Sequence, residues 1–326
     1  MTDEKSFNWL DPFSSIDLDI AGHSDGIKQW AIEHREAIQP LKMFLDGLIQ
    51  GIERTFQTIP PLVMFAIILL IAWQAAGRRT TIYVACALLV LGFLSPEAWS
   101  LAMTTLAIVV SAVIIAVIIG LPLGILAGKS DRFETVLRPI LDTMQTIPAF
   151  VYLVPVVMLI GIGNVSGVLV TVIFALAPLI RLTSLGIRTV NPSVVEAAKA
   201  FGATPSQIMF KVELPMATPT IFAGLNQTIM LSLSMVVIAS MISVKGLGNE
   251  VLRAMGRLDA GKAIVGGLGI VMLAIILDRI TQGLNRSGRE RGHRHWWQTG
   301  PVGLIANLFP KRHLITVNSL KGRRNT

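Results

Sequence analysis

The stretch "EAAKAFGATPSQIMFKVELP", residues 196–215, decides the fold, because it is polar-faced and doubly capped yet lies between two of the most apolar regions of the chain. Just upstream, Asn191 and Pro192 form a good N-cap and first helical residue, which predicts a helix through "SVVEAAKAF" with Gly202 as its stop. Thr204, Pro205, Ser206 and Gln207 then make a capping-box pattern, predicting a second short helix that ends before Pro215. Two short helices joined by a glycine turn expose one apolar face, made by Val194, Val195, Ala198 and Phe201. Inner loops elsewhere are short and offer that face few partners, so a docking surface for a soluble protein accounts for it.

The surroundings define the class. Of 326 residues, 52% are hydrophobic and only 15% charged, and the mean hydropathy is positive, which points to an all-α, polytopic membrane protein. A spanning helix needs about 20 apolar residues, since a ~30 Å hydrocarbon layer is crossed at ~1.5 Å per residue. Largely charge-free runs predict about seven spans: 55–77, 80–96, 98–128, two within 143–180 divided by "GIGNVSG" at 161–167, 214–244 and 263–283, the last with Asp278 and Arg279 near its end. Gly120 and Pro122 are expected to bend the third, and the fifth must continue past Arg181 to be long enough. This divides the chain into an N-terminal amphipathic tail (1–54), two accessory spans (55–97), a transport core (98–284) containing the polar helices at 191–215, and a basic tail (285–326). In the N-terminal tail, Ile27, Trp30, Ala31, His34, Ile38, Leu41, Phe44 and Leu45 recur at helical spacing, as in a surface helix, with Pro40 expected to interrupt it. No basic stretch, apolar core and cleavage site open the chain, so a removable signal peptide is not expected. Cys86 stands alone in an apolar run and reads as a packing residue.

Lys and Arg set the orientation, because short basic loops stay in the cytoplasm. With the C-terminus inside, eighteen of them fall on the inner side, at Arg78 and Arg79, in the 129–138 and 181–211 regions and in the tail. Four fall in the outer loop 244–262, at Lys245, Arg253, Arg257 and Lys262. Residues 1–59 hold ten acids against five bases, so the expected topology is N-out and C-in. The tail's nine bases against one acid suit an anionic membrane face better than nucleic acid.

Glu196, Ala197 and Ala198, then Gly202, then Leu214 and Pro215 match the E-A-A, three residues, G, then L-P pattern of permease subunits of type I binding-protein-dependent ABC importers. The segments "LDTMQTIPAFVYLVPVVMLIGIGN", "LNQTIMLSLSMVVIASMI", "GLGNEVLRAMGRLD" and "AIILDRITQ" resemble in particular the members that import glycine betaine and proline betaine in Gram-negative bacteria. That likeness extends from "LDPF" at residue 10 into "TGPVGL" in the tail. The resemblance implies a permease of the bacterial inner membrane working as a homodimer, with ATPase subunits on its cytoplasmic side and a periplasmic binding protein outside. It also implies that Glu196, Ala197, Ala198, Phe201, Gly202, Leu214 and Pro215 form the ATPase-coupling segment. ATP and Mg would belong to the ATPase chains, and no cofactor to this one.

The remaining constellations weaken other classes. "GLPLGILAGKS" ends like a phosphate loop, but Leu123 stands where the first glycine should be and an apolar span precedes it. His293 and His295 lack a third ligand at metal-binding spacing, and no nucleophile, base and orienting acid assemble into an enzyme site. The sixth span is unusually polar for membrane depth. Asn226, Met230, Ser232, Ser234 and Met235 are its candidate substrate-path residues, with interhelical packing as the alternative. No acid or base is expected at mid-span, in keeping with a substrate of no net charge. Lys245, Arg253 and Arg257 are candidate docking residues for a binding protein. A permease of the same architecture for choline, carnitine or an amino acid remains open. A secondary transporter or channel would leave 196–215 without a role.

Overall fold

A computed structural model describes residues 35–285, with 26, 29 and 33. The tail pattern at Ile27, Trp30, Ala31 and His34, the histidine pair 293/295 and the basic residues after 285 lie outside the described residues. All elements described are helical: α1 (Arg35–Thr58), α2 (Pro61–Leu94), α3 (Ala98–Lys129), α4 (Asp131–Thr146), α5 (Leu153–Ile160), α6 (Asn164–Arg188), α7 (Pro192–Ala200), α8 (Pro205–Ile208), α9 (Leu214–Ala239), α10 (Leu247–Gly256) and α11 (Ala260–Leu284). Five helices are long and apolar enough to cross a membrane, or six if the bent pair α4–α5 is counted as one crossing.

A seventh crossing comes from α2. A straight helix of its 34 residues would be about 50 Å long. Both of its ends nevertheless lie beside the first turn of α3. Gln57, three residues before Pro60, donates to Ser100 O at 2.8 Å, and Leu94 precedes Ala98 by four residues. Gly77, at φ 79° and ψ 175°, breaks the helix into two arms, a backbone conformation that L side chains resist. The turn, with Arg78 and Arg79 beside it, reaches the far end of α11, where a Cβ on Gly283 would collide with that of Ala76. The first arm begins at Pro61, later than the apolar run suggested, because α1 occupies the chain up to Thr58 and Pro60 ends its hydrogen bonding.

The core is α3, α6 and α9. Along α3, Gly120, Gly124 and Gly128 recur every fourth residue and face Leu176 and Leu179, then Thr183, then Ile187 of α6. Small residues at this spacing let two backbones approach where apolar burial alone gives no drive for association in lipid. The helix runs unbroken through Pro122. Its phosphate-loop-like run is therefore helix to Lys129, with its glycines against α6. On the other side of α6, Thr228 of α9 donates to Ala175 O at 3.0 Å, at the centre of both helices. Gly224 brings α9 against Leu179 and Leu182.

Three expectations are corrected. Pro40 lies inside α1, whose neighbouring backbone is exposed to solvent, so the carbonyl it orphans can be hydrated. The fourth crossing is not one helix from residue 143: α4 starts at Asp131, stops at Ile147–Pro148, and the chain turns by 102° before Ala149–Ile160. Pro148, at ψ 134°, holds the extended backbone that separates the two pieces. The second polar helix does not end before Pro215. It passes through a π-helical turn, Met209–Glu213, directly into α9. Leu214 N–H donates to Met209 O, five residues back. This wider register spares Pro215, which has no N–H, the clash that a regular turn would impose. The expected break at 161–167 is present but shorter, 161–163, with Gly161 and Gly163 at φ 95° and 137° and residues 164–167 already in α6, which does continue past Arg181 to Arg188.

Candidate functional site

The polar segment forms as its caps dictate. Asn191 Oδ1 accepts from Ser193 N–H at 3.0 Å. At the other end, Gly202 (φ 78°) sends its N–H to Lys199 O at 2.9 Å while Ala203 sends its own to Ala198 O at 3.1 Å, a Schellman closure. The Thr204–Gln207 capping box is reciprocal, at 3.3 and 2.9 Å. Every turn is thus satisfied internally, yet α7 buries no side chain. Phe201 is 92% exposed, Val194, Glu196 and Ala197 are exposed, and Ala198 is half-buried. Leu214 is half-buried and Pro215 exposed at the root of α9. A rigid helix pair presenting a bare phenylalanine has the character of an interface awaiting its partner.

Sequence reasoning missed the residue that anchors this pair. Glu213, in the π turn, is 5% exposed, the most buried charged group among the described residues. Lys129, at the end of α3, donates to its Oε1 at 2.6 Å and lies 2.5 Å from Oε2. The ion pair fastens the root of the polar segment to the core. Its signal in the sequence was weak, an acid beside an L-P dipeptide and a lysine counted only among the inner-side bases. Replacing Glu213 by Ala removes this charge-assisted hydrogen bond and opens a void at the root of α9, while the Lys129 side chain, 43% exposed, turns to water. The expected loss is about 1–3 kcal/mol, read as a lower thermal unfolding midpoint of the detergent-solubilised protein. An unchanged midpoint would remove the anchoring role.

A family model described as "binding-protein-dependent transport system inner membrane component" matches residues 120–289, more than half of the chain and all of this segment. The chain belongs to that family. Its relatives include the glycine betaine/proline betaine transport system permease protein ProW of Escherichia coli (strain K12), 52% identical over 308 residues, 94% of this chain and 86% of that one. The glycine betaine/carnitine transport permease protein GbuB of Listeria monocytogenes is 46% identical over 76% of this chain and 88% of its own. The glycine betaine transport system permease protein OpuAB of Bacillus subtilis is 43% identical over 78% and 88%. The chain is accordingly a multi-pass inner membrane component of an ABC import system, in which a separate ATPase hydrolyses ATP.

Within this permease the candidate path residues divide. Ser232 and Met235 are fully buried, Met235 against Leu153 and Val170. Asn226, Met230 and Ser234, spaced by four, share another face of α9 and are partly or fully accessible. Asn226 Nδ2 donates at 3.3 Å to Asp278 of α11, whose carboxylate also accepts from Gln282 at 2.7 and 2.8 Å. An acid of the last span thus has a polar partner on α9. Near the end of its own helix, it meets Asn226 only two residues from Thr228, which bonds to the centre of α6.

On the face that carries α1, Lys245 N–H donates to Asn164 Oδ1 at 3.2 Å, and Arg253 and Arg257 are exposed on and beside α10. That helix is not a simple surface helix. Leu247 at its start is fully buried, and its N–H donates to Thr105 Oγ1 at 2.9 Å. On the opposite face, Arg188 bridges Asp131 at 2.6 Å and Glu134 at 2.7 Å and donates to Ala127 O, while Arg181 meets Asp142 at 2.5 Å. These pairs join α4 to α6 around a cavity of about 520 Å³.

Proposed function

We propose that this chain is the membrane subunit of an ATP-driven importer of compatible solutes, glycine betaine and proline betaine, working by alternating access. The observation that carries the mechanism is the exposed face around Phe201, on a capped helix pair that continues without a joint into α9. ATPase subunits seat on α7 and the turn at Gly202, with Glu196, Ala197, Ala198, Phe201, Gly202, Leu214 and Pro215 as the coupling segment. ATP and Mg stay with those subunits, and closure of the ATPase dimer moves the paired helices. Two copies of the chain enclose the path, with Asn226, Met230 and Ser234 on its wall, and the buried Ser232 and Met235 set the packing behind it. The periplasmic binding protein docks on the face that bears Lys245, Arg253 and Arg257. The N-terminus is outside and the C-terminus in the cytoplasm. The betaine assignment is supported by 52% identity over 94% of the chain to a permease of that name.

Membrane vesicles containing this chain, its ATPase and its binding protein are expected to accumulate radiolabelled glycine betaine only when ATP is supplied on the ATPase side. Choline, carnitine and proline betaine serve as competitors that set the substrate range. Uptake that persists without the ATPase subunit would sink the importer reading.

A further inference from the structure

The cavity between α4 and α6 has the dimensions of a small-molecule site, about 520 Å³. Its wall carries charge of both signs, with Arg138, Arg181 and Arg188 facing Glu134 and Asp142. Leu137, Leu141 and Ile180 supply an apolar side. Ser184, which also lines it, is 3% exposed, and its hydroxyl has no hydrogen-bond partner. A buried hydroxyl in this state is unusual, and it can both donate and accept. The Arg181–Asp142 pair is roughly half exposed at each partner, so its members can exchange one another for a guest at small cost.

This composition selects the guest. An anion bound alone would face two carboxylates, and a cation bound alone would face three guanidinium groups. A small zwitterion satisfies both sets and leaves the charge balance at the membrane edge unchanged. Its carboxylate takes Arg181 and the Ser184 hydroxyl, its ammonium end takes Asp142 or Glu134, and its methyl groups lie on Leu137 and Ile180. We propose that this cavity is a binding site for a small zwitterionic solute on the face opposite α1, a station that the transported molecule occupies before release. The identity of the solute rests on the betaine reading above. The site itself consists of residues separate from the Asn226, Met230 and Ser234 face.

The test uses the purified permease–ATPase complex without binding protein or nucleotide. Equilibrium binding of radiolabelled glycine betaine is expected to saturate at one site per permease chain. Arg181→Gln and Ser184→Leu are expected to weaken it about tenfold, the loss of one charged hydrogen bond or the filling of the cavity. Choline, lacking the carboxylate, and acetate, lacking the ammonium, should compete at least about tenfold more weakly than betaine by the same reasoning. A Leu185→Cys variant in a Cys86→Ser background keeps every charged partner, and glycine betaine is expected to protect its thiol from alkylation. A complex that transports betaine in vesicles yet binds none without the binding protein overturns the site. So does binding that is indifferent to both substitutions, equal competition by choline, or an unprotected thiol at residue 185. Vesicles that fail to transport betaine at all would instead count against the importer reading.

Discussion

Phe201→Asp is expected to reduce ATP-driven betaine uptake by about a hundredfold, the cost of losing a central aromatic anchor from an interface, while the protein still inserts and folds. The second half of that expectation follows from exposure. At 92% exposed, the ring makes almost no contact within this chain, so the substitution leaves the permease itself unharmed. Gly202→Asp tests the adjacent turn by a different route. No atom lies within 4 Å of where its Cβ would stand, so space is not the obstacle, and φ is 78°. Asparagine and aspartate both tolerate that conformation better than other side chains, so substitution by one or the other differs chiefly in the charge placed at the turn. Gly202→Asn is thus expected to retain much of the uptake that Gly202→Asp loses. The measurements are uptake in vesicles and co-purification of the ATPase subunit. Normal co-purification and uptake by the Phe201→Asp protein would remove the coupling role from this segment.

Gly124→Leu is expected to unfold or severely destabilise the chain, by more than the ~1–3 kcal/mol typical of overpacking. A Cβ at residue 124 would stand 2.5 Å from Thr183 Cβ and 3.0 Å from Ile180 O, so both a buried side chain and the α6 backbone would have to move. Gly51→Ala is the matched control. It lies on the exposed face of α1 with nothing near its Cβ, and should raise helix stability slightly, by up to about 1 kcal/mol. Thermal unfolding of the solubilised proteins compares the two. A Gly124→Leu protein as stable as its parent would remove the close α3–α6 approach as a determinant of the fold.

The parts of the molecule governed by local chemistry were legible from the residues alone. Asn191, Gly202, Thr204 and Gln207 bind backbone groups within a few positions of themselves, so their caps could be placed without tertiary information. Charge-free runs marked the crossings for the same reason, since the penalty for a charge at membrane depth acts residue by residue. What escaped depends on contacts between distant segments. Glu213 is tolerable in a buried position only because Lys129, 84 residues earlier, meets it. Asp278 looked like a residue at the edge of a span until Asn226 appeared across from it. Pro40 and Pro215 were both read as helix breakers, and each is absorbed in a setting the sequence does not announce: an exposed stretch of helix where the freed carbonyl is open to water in one case, a π turn in the other. The coupling, path and docking assignments for individual residues go beyond fold and family, and the substitutions above address the first of them.

The continuity of α8, the π turn and α9 gives the segment mechanical properties of a beam. From Pro205 to Ile242 the helical run is unbroken, with the π turn and Pro219 inside it, a length of about 57 Å at ~1.5 Å per residue. It approaches α6 closely at Gly224, where a Cβ would come within 3.0 Å of Leu182, nearly halfway along. A fulcrum at that point leaves arms of roughly 29 and 27 Å. A displacement imposed at the Thr204 end would then reappear at the Ser243 end reversed in direction and almost unchanged in size. Opening on one side of the membrane and closing on the other become one rotation.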